Sequence, residues 1–332
     1  MRRYKKFILH CGIHKTGSSY LQASLASNRD LLAGNSIHYP DPHDPANEAF
    51  GPQHSIAAIG YDDSKSFEQN VGAFFALDSD CETLLMSGEE FSRASTHPSF
   101  FQGLLDIGAE VKVVFYLRRF DHLLESVYAQ CVKDYLTGPI EVAEYQLDFY
   151  EILRPFVEAL GPDRVVVRPY NPKFWPGESI GQDFFSAIGL PHLWGAMRKP
   201  AGRINESLSR PETYMISVTE GIAEKQRLMD HFRARPFPDC DRAKFFRSPD
   251  FRFDFNLRYI GLNSGVAALN GGVDITEFLD LANVDDDPHW QAFDPNDPQI
   301  VDYLETFRAK HSDLDGGDDW EVREDGIEGM RF

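Results

Sequence analysis

In the stretch GIHKTGSS, Gly12 to Ser19, two glycines, a lysine and three hydroxyls fall within eight positions. Backbone N–H groups of a glycine-rich turn, together with the positive end of the helix that follows, make an anion site. Gly12 and Gly17 have the separation of the phosphate-binding pattern G-x-x-x-x-G-K-[ST], yet Ser18 stands where that pattern has its lysine. The loop's lysine, Lys15, comes three residues early. In loops that transfer phosphoryl groups, the later lysine reaches the β- and γ-phosphates and the hydroxyl beside it holds Mg²⁺. A lysine inside the turn is suited instead to lie beside a short diphosphate-like group and neutralise charge on a departing phosphate.

Such a loop needs a strand before it and a helix after it. KKFILHCG (5–12) reads as the strand, and Leu21, Leu25 and Leu32 share one stripe of a helix that Gly34 would stop. Further β-rich runs, CETLLMSG (81–88), VKVVFYLR (111–118) and RVVVRPY (164–170), alternate with helical segments. This alternation predicts a parallel sheet with crossover helices, and consecutive apolar residues such as Val113 to Leu117 predict strands buried on both faces. After VKVVFYLR, Leu124, Val127, Tyr128 and Cys131 repeat at helical spacing, with Asp121 as the expected N-cap. The carboxyl edge of the sheet, where such loops lie, is where open α/β folds bind ligands. The expected fold is therefore α/β, one domain over 1–312 that becomes helical and less regular from about residue 200, with helices near 208–232 and 298–310.

Composition narrows the ligand. The chain has 332 residues, 42% of them hydrophobic, enough to bury a substantial core. Its 33 basic residues against 52 acidic ones, a formal charge of −19, exclude a broad nucleic-acid surface, so an anionic ligand must be held by a local basic pocket. Four scattered cysteines without C-x-x-C spacing suggest neither a zinc site nor a disulfide framework. The apolar run after MRRYKK is shorter than a signal-peptide core, and no run of membrane-spanning length occurs, so a cytoplasmic protein is expected. The last twenty residues carry eight acids, two bases and four glycines, which predicts a solvated, flexible tail over 313–332.

GIHKTGSSYLQ resembles the 5′-phosphosulfate loop of the sulfotransferases that use 3′-phosphoadenosine 5′-phosphosulfate (PAPS), in particular their bacterial branch. VVFYLRRFDHLLESVYAQ resembles the same family's 3′-phosphate motif, an arginine at a strand end and a serine eight residues later, here Arg118 and Ser126. RDLLAGNSIHYP, LLMSGEEFS and DFFSAIGLP extend the resemblance over roughly residues 5–190. The resemblance implies a P-loop-type three-layer sandwich, PAPS as co-substrate, adenosine 3′,5′-bisphosphate (PAP) as product, and no required metal. It implies that Lys15 contacts the phosphosulfate bridge while Thr16, Gly17, Ser18 and Ser19 hold the 5′-phosphate. Arg118 would make charge-assisted bonds to the 3′-phosphate, with Ser126 donating from its helix.

Sulfuryl transfer to a hydroxyl also needs a base. Glu89, just past a strand end in LLMSGEEFS, is the first candidate, and the bacterial branch tends to carry a similar glutamate there. His54 is the second, since imidazole titrates near neutrality and cytosolic members of the family commonly employ histidine. His10 is expected in the core and His14 as a loop residue shaping the turn. Arg198, Lys199 and Gly202 resemble an Arg-Lys-x-x-Gly loop that closes over the 3′-phosphate in some members, with Arg203 nearby. The acceptor, a glycan or a small molecule, stays open, although Tyr145, Phe149, Tyr150 and Trp175 could stack on one. Two other readings stand beside this one: a P-loop kinase in which Glu89 organises Mg²⁺, and a non-catalytic nucleotide-binding member of the family.

Overall fold

A computed structural model describes residues 4–41, 54–59, 61–93, 98–134, 147–200, 208–219, 221–237, 243–244, 249–269, 274–281, 291–292, 294 and 296–311. Its contacts divide the chain into two compact units. The first (1–119, 148–205 and 260–279) is an α/β layer structure, and the second (120–147, 206–259 and 280–332) is mainly helical among its described residues.

In the first unit the elements run β1 (Tyr4–His10), α1 (Ser18–Ala26), α2 (Arg29–Gly34), β2 (Ile37–His38), α3 (Ile56–Ile59), α4 (Phe67–Gly72), β3 (Thr83–Ser87), α5 (Pro98–Ile107) and β4 (Gly108–Leu117). The helix Phe149–Leu160, β5 (Val165–Pro169) and the helices Ile180–Ala187 and Pro191–Ala196 follow. The five strands form one parallel sheet in the order β2-β3-β1-β4-β5. The four runs expected from the sequence are its four longer strands. The two-residue β2 was not foreseen, being too short to show a period.

Helices cover both faces because the central strands are apolar on both. Ile8, Leu85, Val114 and Tyr116 point to one side, against Leu21 and Leu25 of α1 and Phe184, Phe185 and Trp194. Phe7 and Phe115 point to the other, where Phe7 meets Phe67 of α4 and Phe115 meets Phe156, which in turn packs on Phe100 of α5. All of these are buried to 3% exposure or less, and each large side chain so buried contributes about 1.5–3 kcal/mol. Arg168 of β5 makes a two-pronged ion pair with Asp183, to which the Tyr116 hydroxyl also donates at 2.7 Å. This buried carboxylate ties β4 and β5 to the helix Ile180–Ala187.

Three local expectations are corrected. The single helix drawn through Leu21, Leu25 and Leu32 is two, because the chain turns at Ser27 and Asn28 and the Asn28 amide donates to the Ser24 carbonyl at 2.7 Å. Gly34 does end the second of them. The helix expected near 208–232 is likewise two, Arg210–Ser217 and Ile222–Ala234, with Gly221 between them at φ +79°.

In the second unit, α6 (Phe120–Lys133) begins one residue before Asp121, so Asp121 is not its N-cap. Its carboxylate is buried and pairs with Arg252 at 2.8 Å, while Glu125 of the next turn pairs with Arg210 at 2.6 Å. Two acids on one helix face thus take two arginines from the helices packed on it. Gly202, Arg203, Tyr145 and the tail at 313–332 lie outside the described residues.

Candidate active site

The tips of β3, β1, β4 and β5 stand side by side at the carboxyl edge, with His10 level with both Ser87 and Val114, and Leu117 level with Pro169. Each tip delivers one polar or aromatic group a few residues further on: Glu89 after β3, the Lys15 loop after β1, Arg118 after β4 and Tyr170 after β5. From β1 the chain goes to the edge strand β2, returns inward to β3 beside β1, and then crosses to β4 and β5 on the other side. This reversal of strand order is where such sheets bind ligands.

The loop leaves β1 without leaving the sheet. Cys11 N–H donates to Val114 O at 2.9 Å, Tyr116 N–H to Gly12 O at 2.6 Å and Ile13 N–H to Tyr116 O at 3.2 Å, so three more residues follow the edge of β4. The turn then closes through Lys15 at φ +62° and Gly17 at φ +75°. A Cβ at Gly17 would stand 2.9 Å from a ring carbon of Tyr170, and one at Gly12 would stand 3.1 Å from Cγ of Glu89. Both glycines therefore permit a close approach as well as a left-handed backbone.

The cations and hydroxyls of the loop have distinct surroundings. Arg118 donates from Nη1 to the Lys15 carbonyl at 2.8 Å, with its guanidinium carbon 5.4 Å from the centre of the Tyr170 ring. Thr16 is fully buried and its hydroxyl donates to Ile13 O at 2.6 Å, which staples the turn. Ser18 opens α1 and is 1% exposed, and its hydroxyl makes no sound hydrogen bond to the protein. Ser19 is half-buried in the same first turn, where backbone N–H groups have no intrahelical acceptor. Ser126 is half-buried on α6, in the second unit.

On the β3 side, Glu89 and Glu90 open a short 3-10 turn, Glu89–Ser92, and His14 reaches both of them. His14 Nδ1 is 3.4 Å from Glu89 Oε2 and Nε2 is 3.2 Å from Glu90 Oε1. Burial opposes a charge on His14, but its hydrogen bonds to the two carboxylates, and their charges, outweigh burial and raise it from 6.5 to about 9. Burial pushes Glu89 the other way, upward, and the His14 bonds and charge, with smaller help from Ser18 and His10, hold it below the usual carboxylate range. Glu90 is lowered chiefly by its bond to His14.

These shifts have a sign for stability. The histidine's contribution is complete below its unfolded value of 6.5 and fades as pH rises through about 9, whereas the glutamates' contribution is present above their ordinary range and fades as pH falls through their lowered values. Wild type is therefore expected to lose more stability than His14→Gln between pH 7 and pH 10, read as a larger drop in the urea midpoint.

His54 lies in the core at 1% exposure. Its Nδ1 accepts from Ser87 N–H at 3.0 Å, its Nε2 stands 3.2 Å from Pro40 O, and Tyr39 and Phe75 close on it edge-to-face. Burial lowers it to about 4, and with both nitrogens engaged it braces the end of β3 as a neutral ring. His10 is also buried, bonded to Ser87 Oγ at 2.8 Å and lowered to about 4 by burial.

Arg198 and Lys199 are exposed, and the backbone of Arg198 is held by Asn28 through two 2.8 Å bonds, N–H to Oδ1 and Nδ2 to carbonyl. Asn28 follows the far end of α1 from the cradle, about 13 Å away at 1.5 Å per residue. Lys199 lies over the Trp194 ring at 5.3 Å. Of the aromatic acceptor candidates, Phe149 is fully buried and Trp175 donates to Pro169 O at 2.8 Å, so both serve packing. Tyr150 lies beside Gly265 and Arg154.

Sequence reasoning did not find the His14–Glu89–Glu90 cluster or Tyr170. His14 and Glu89 are brought together by the pairing of β1 with β3, and the single cue for Tyr170 was its place as the last residue of a predicted strand run.

The described residues form a parallel α/β protein with a glycine-rich turn at the carboxyl edge of its sheet. No family model matches the chain. An uncharacterized protein of Archaeoglobus fulgidus is 31% identical over 109 residues, which are 32% of this chain and 30% of that protein, so the match spans under a third of the relative's length. Among solved structures, a sulfotransferase from Alicyclobacillus acidocaldarius is similar with 14% identity and a TM-score of 0.41, covering 84% of this chain and 99% of that one. The sulfotransferase domain of the Synechococcus PCC 7002 olefin synthase follows with 10% identity and a TM-score of 0.37, covering 72% and 98%. The residues of the site, not these likenesses, carry the functional reading. Among the described residues no helix is long and apolar enough to cross a membrane, and no group of three or more His, Cys, Asp or Glu is arranged to hold a metal ion.

Proposed function

We propose that the protein is a sulfotransferase that moves a sulfuryl group from PAPS to an acceptor hydroxyl, on a glycan or a small molecule. The observation that carries this reading is the meeting of Arg118 with the Lys15 turn, flanked by Glu89 on the neighbouring tip. One edge thus offers cations for a phosphorylated leaving group and a carboxylate for a proton. The fit to a phosphate is supported by two glycines whose replacement would fill the cradle, and by the buried Ser18 hydroxyl at the start of α1, which stands beside Glu89.

PAPS supplies an activated sulfonate whose leaving group is the 5′-phosphate of PAP. In the proposed step the acceptor oxygen bonds to sulfur, the bond from sulfur to the bridging oxygen breaks in line with it, and the acceptor's proton passes to Glu89. Lys15 neutralises the charge gained by the departing phosphate. The amides of Thr16 and Gly17, with Ser18 and Ser19, hold that phosphate, while Arg118 takes the 3′-phosphate, a role the family resemblance also gives to Ser126. Arg198 and Lys199 are assigned to the loop that covers it. Glu89 receives the base role because it lies against the cradle as a carboxylate, whereas His54 is sealed in the core.

The 3′-phosphate separates PAP from AMP and ATP. Calorimetry is expected to show PAP binding at least tenfold tighter than either, without Mg²⁺, and Arg118→Ala is expected to remove most of that preference. Equal affinity for all three nucleotides, or binding that requires Mg²⁺, would defeat the reading.

A further inference from the structure

We propose that His14, bridging Glu89 and Glu90, is a positioning residue that keeps the Glu89 carboxylate ionised and pressed against the turn at Gly12, ready to take the acceptor's proton. The inference deepens the sulfotransferase reading and rests on it for the identity of the proton donor.

The geometry comes first. Both ring nitrogens of His14 face carboxylate oxygens, at 3.4 Å and 3.2 Å, with all three side chains between 20% and 27% exposed. Ionised carboxylates only accept hydrogen bonds, and a neutral imidazole carries a single N–H, so it would set a lone pair against one of the two oxygens. The doubly protonated ring satisfies both. Glu89 in turn lies with Cγ against the position a Cβ of residue 12 would occupy, so the carboxylate is clamped between the turn and the ring.

The electrostatics agree in direction. Burial alone drives Glu89 toward its neutral form, which cannot act as a base, and the His14 cation is the largest influence restoring the charge. The other groups facing the cluster are His10 of β1 and Ser18 of α1 beside Glu89, and Arg93 beside Glu90. Glu90 has a separate part, as the second carboxylate that keeps the ring protonated.

The test needs no acceptor. In full-length protein with ¹³C-labelled glutamate, the Glu89 carboxyl is titrated by NMR in wild type and in His14→Gln, and Glu90→Gln is used to read the titration of His14. The expected results are a Glu89 that titrates at least about one pH unit higher in His14→Gln, and a His14 that titrates below its wild-type value of about 9 in Glu90→Gln. An unmoved Glu89 overturns the inference. Release of PAP from PAPS, with water as acceptor, adds a kinetic readout: His14→Gln is expected to lower kcat at least tenfold with KM for PAPS changed less than threefold. A matching rise in KM with kcat unchanged would mean that His14 serves binding of the co-substrate, and would also overturn it. Failure of the wild type to bind PAPS would sink the proposed function alone, because the Glu89 titration reads His14 without any ligand.

Discussion

Lys15→Ala is expected to lower turnover of PAPS by about 10²–10³-fold, with a much smaller change in KM. The split follows from where the charge develops. In the bound co-substrate the bridging oxygen is shared between sulfur and phosphorus, and it gains negative charge only as its bond to sulfur breaks. A cation at that oxygen therefore stabilises the transition state more than the ground state, and its loss appears in kcat. Folding should survive the change, because alanine and lysine meet the same strain at φ +62° and the Arg118 bond goes to the Lys15 carbonyl, which every residue has. Release of PAP, measured by chromatography with a pool of acceptors, checks the outcome. Unchanged turnover in a folded variant would remove Lys15 from the mechanism, and a protein that works biologically without it would be the non-catalytic member considered at the outset.

The second large effect is on stability. Asp183 is fully buried and accepts from both Arg168 and Tyr116, so Asp183→Ala leaves a guanidinium and a phenol without their acceptor. Breaking a buried pair from one side costs about 3–5 kcal/mol, and the lower end is expected here because Arg168 keeps a third of its side chain in water. Asp183→Asn, which retains an oxygen for Tyr116, should lose less. Urea unfolding reads both, and a loss under about 1 kcal/mol for the alanine variant would show that the network is dispensable.

The parts of the molecule that the sequence disclosed were those set by local pattern. Runs such as Val113 to Leu117 cannot be anything but buried strands once helices flank them, and the glycine spacing of the turn depends on residues adjacent in the chain. What stayed hidden depends on register. Whether Glu89 or Glu90 would meet anything was decided by β3 pairing with β1 so that Ser87 stands beside His10, which brings a residue four past one tip against residues two and three past the other. His54 looked like a base because a histidine in a loop is indistinguishable from one folded under Tyr39 and Phe75. Asp121 looked like a cap because its partner, Arg252, lies 131 positions away on a helix with no visible tie to it.

The three backbone bonds that carry the chain past His10 along β4 have a thermodynamic consequence. Residues 11–13 are held in place before any ligand arrives, so this part of the edge loses little configurational freedom on association. The enthalpy of ion pairing should then emerge nearly undiminished in a calorimeter, and the signature of a segment folding around its guest, a large negative heat-capacity change, should be missing.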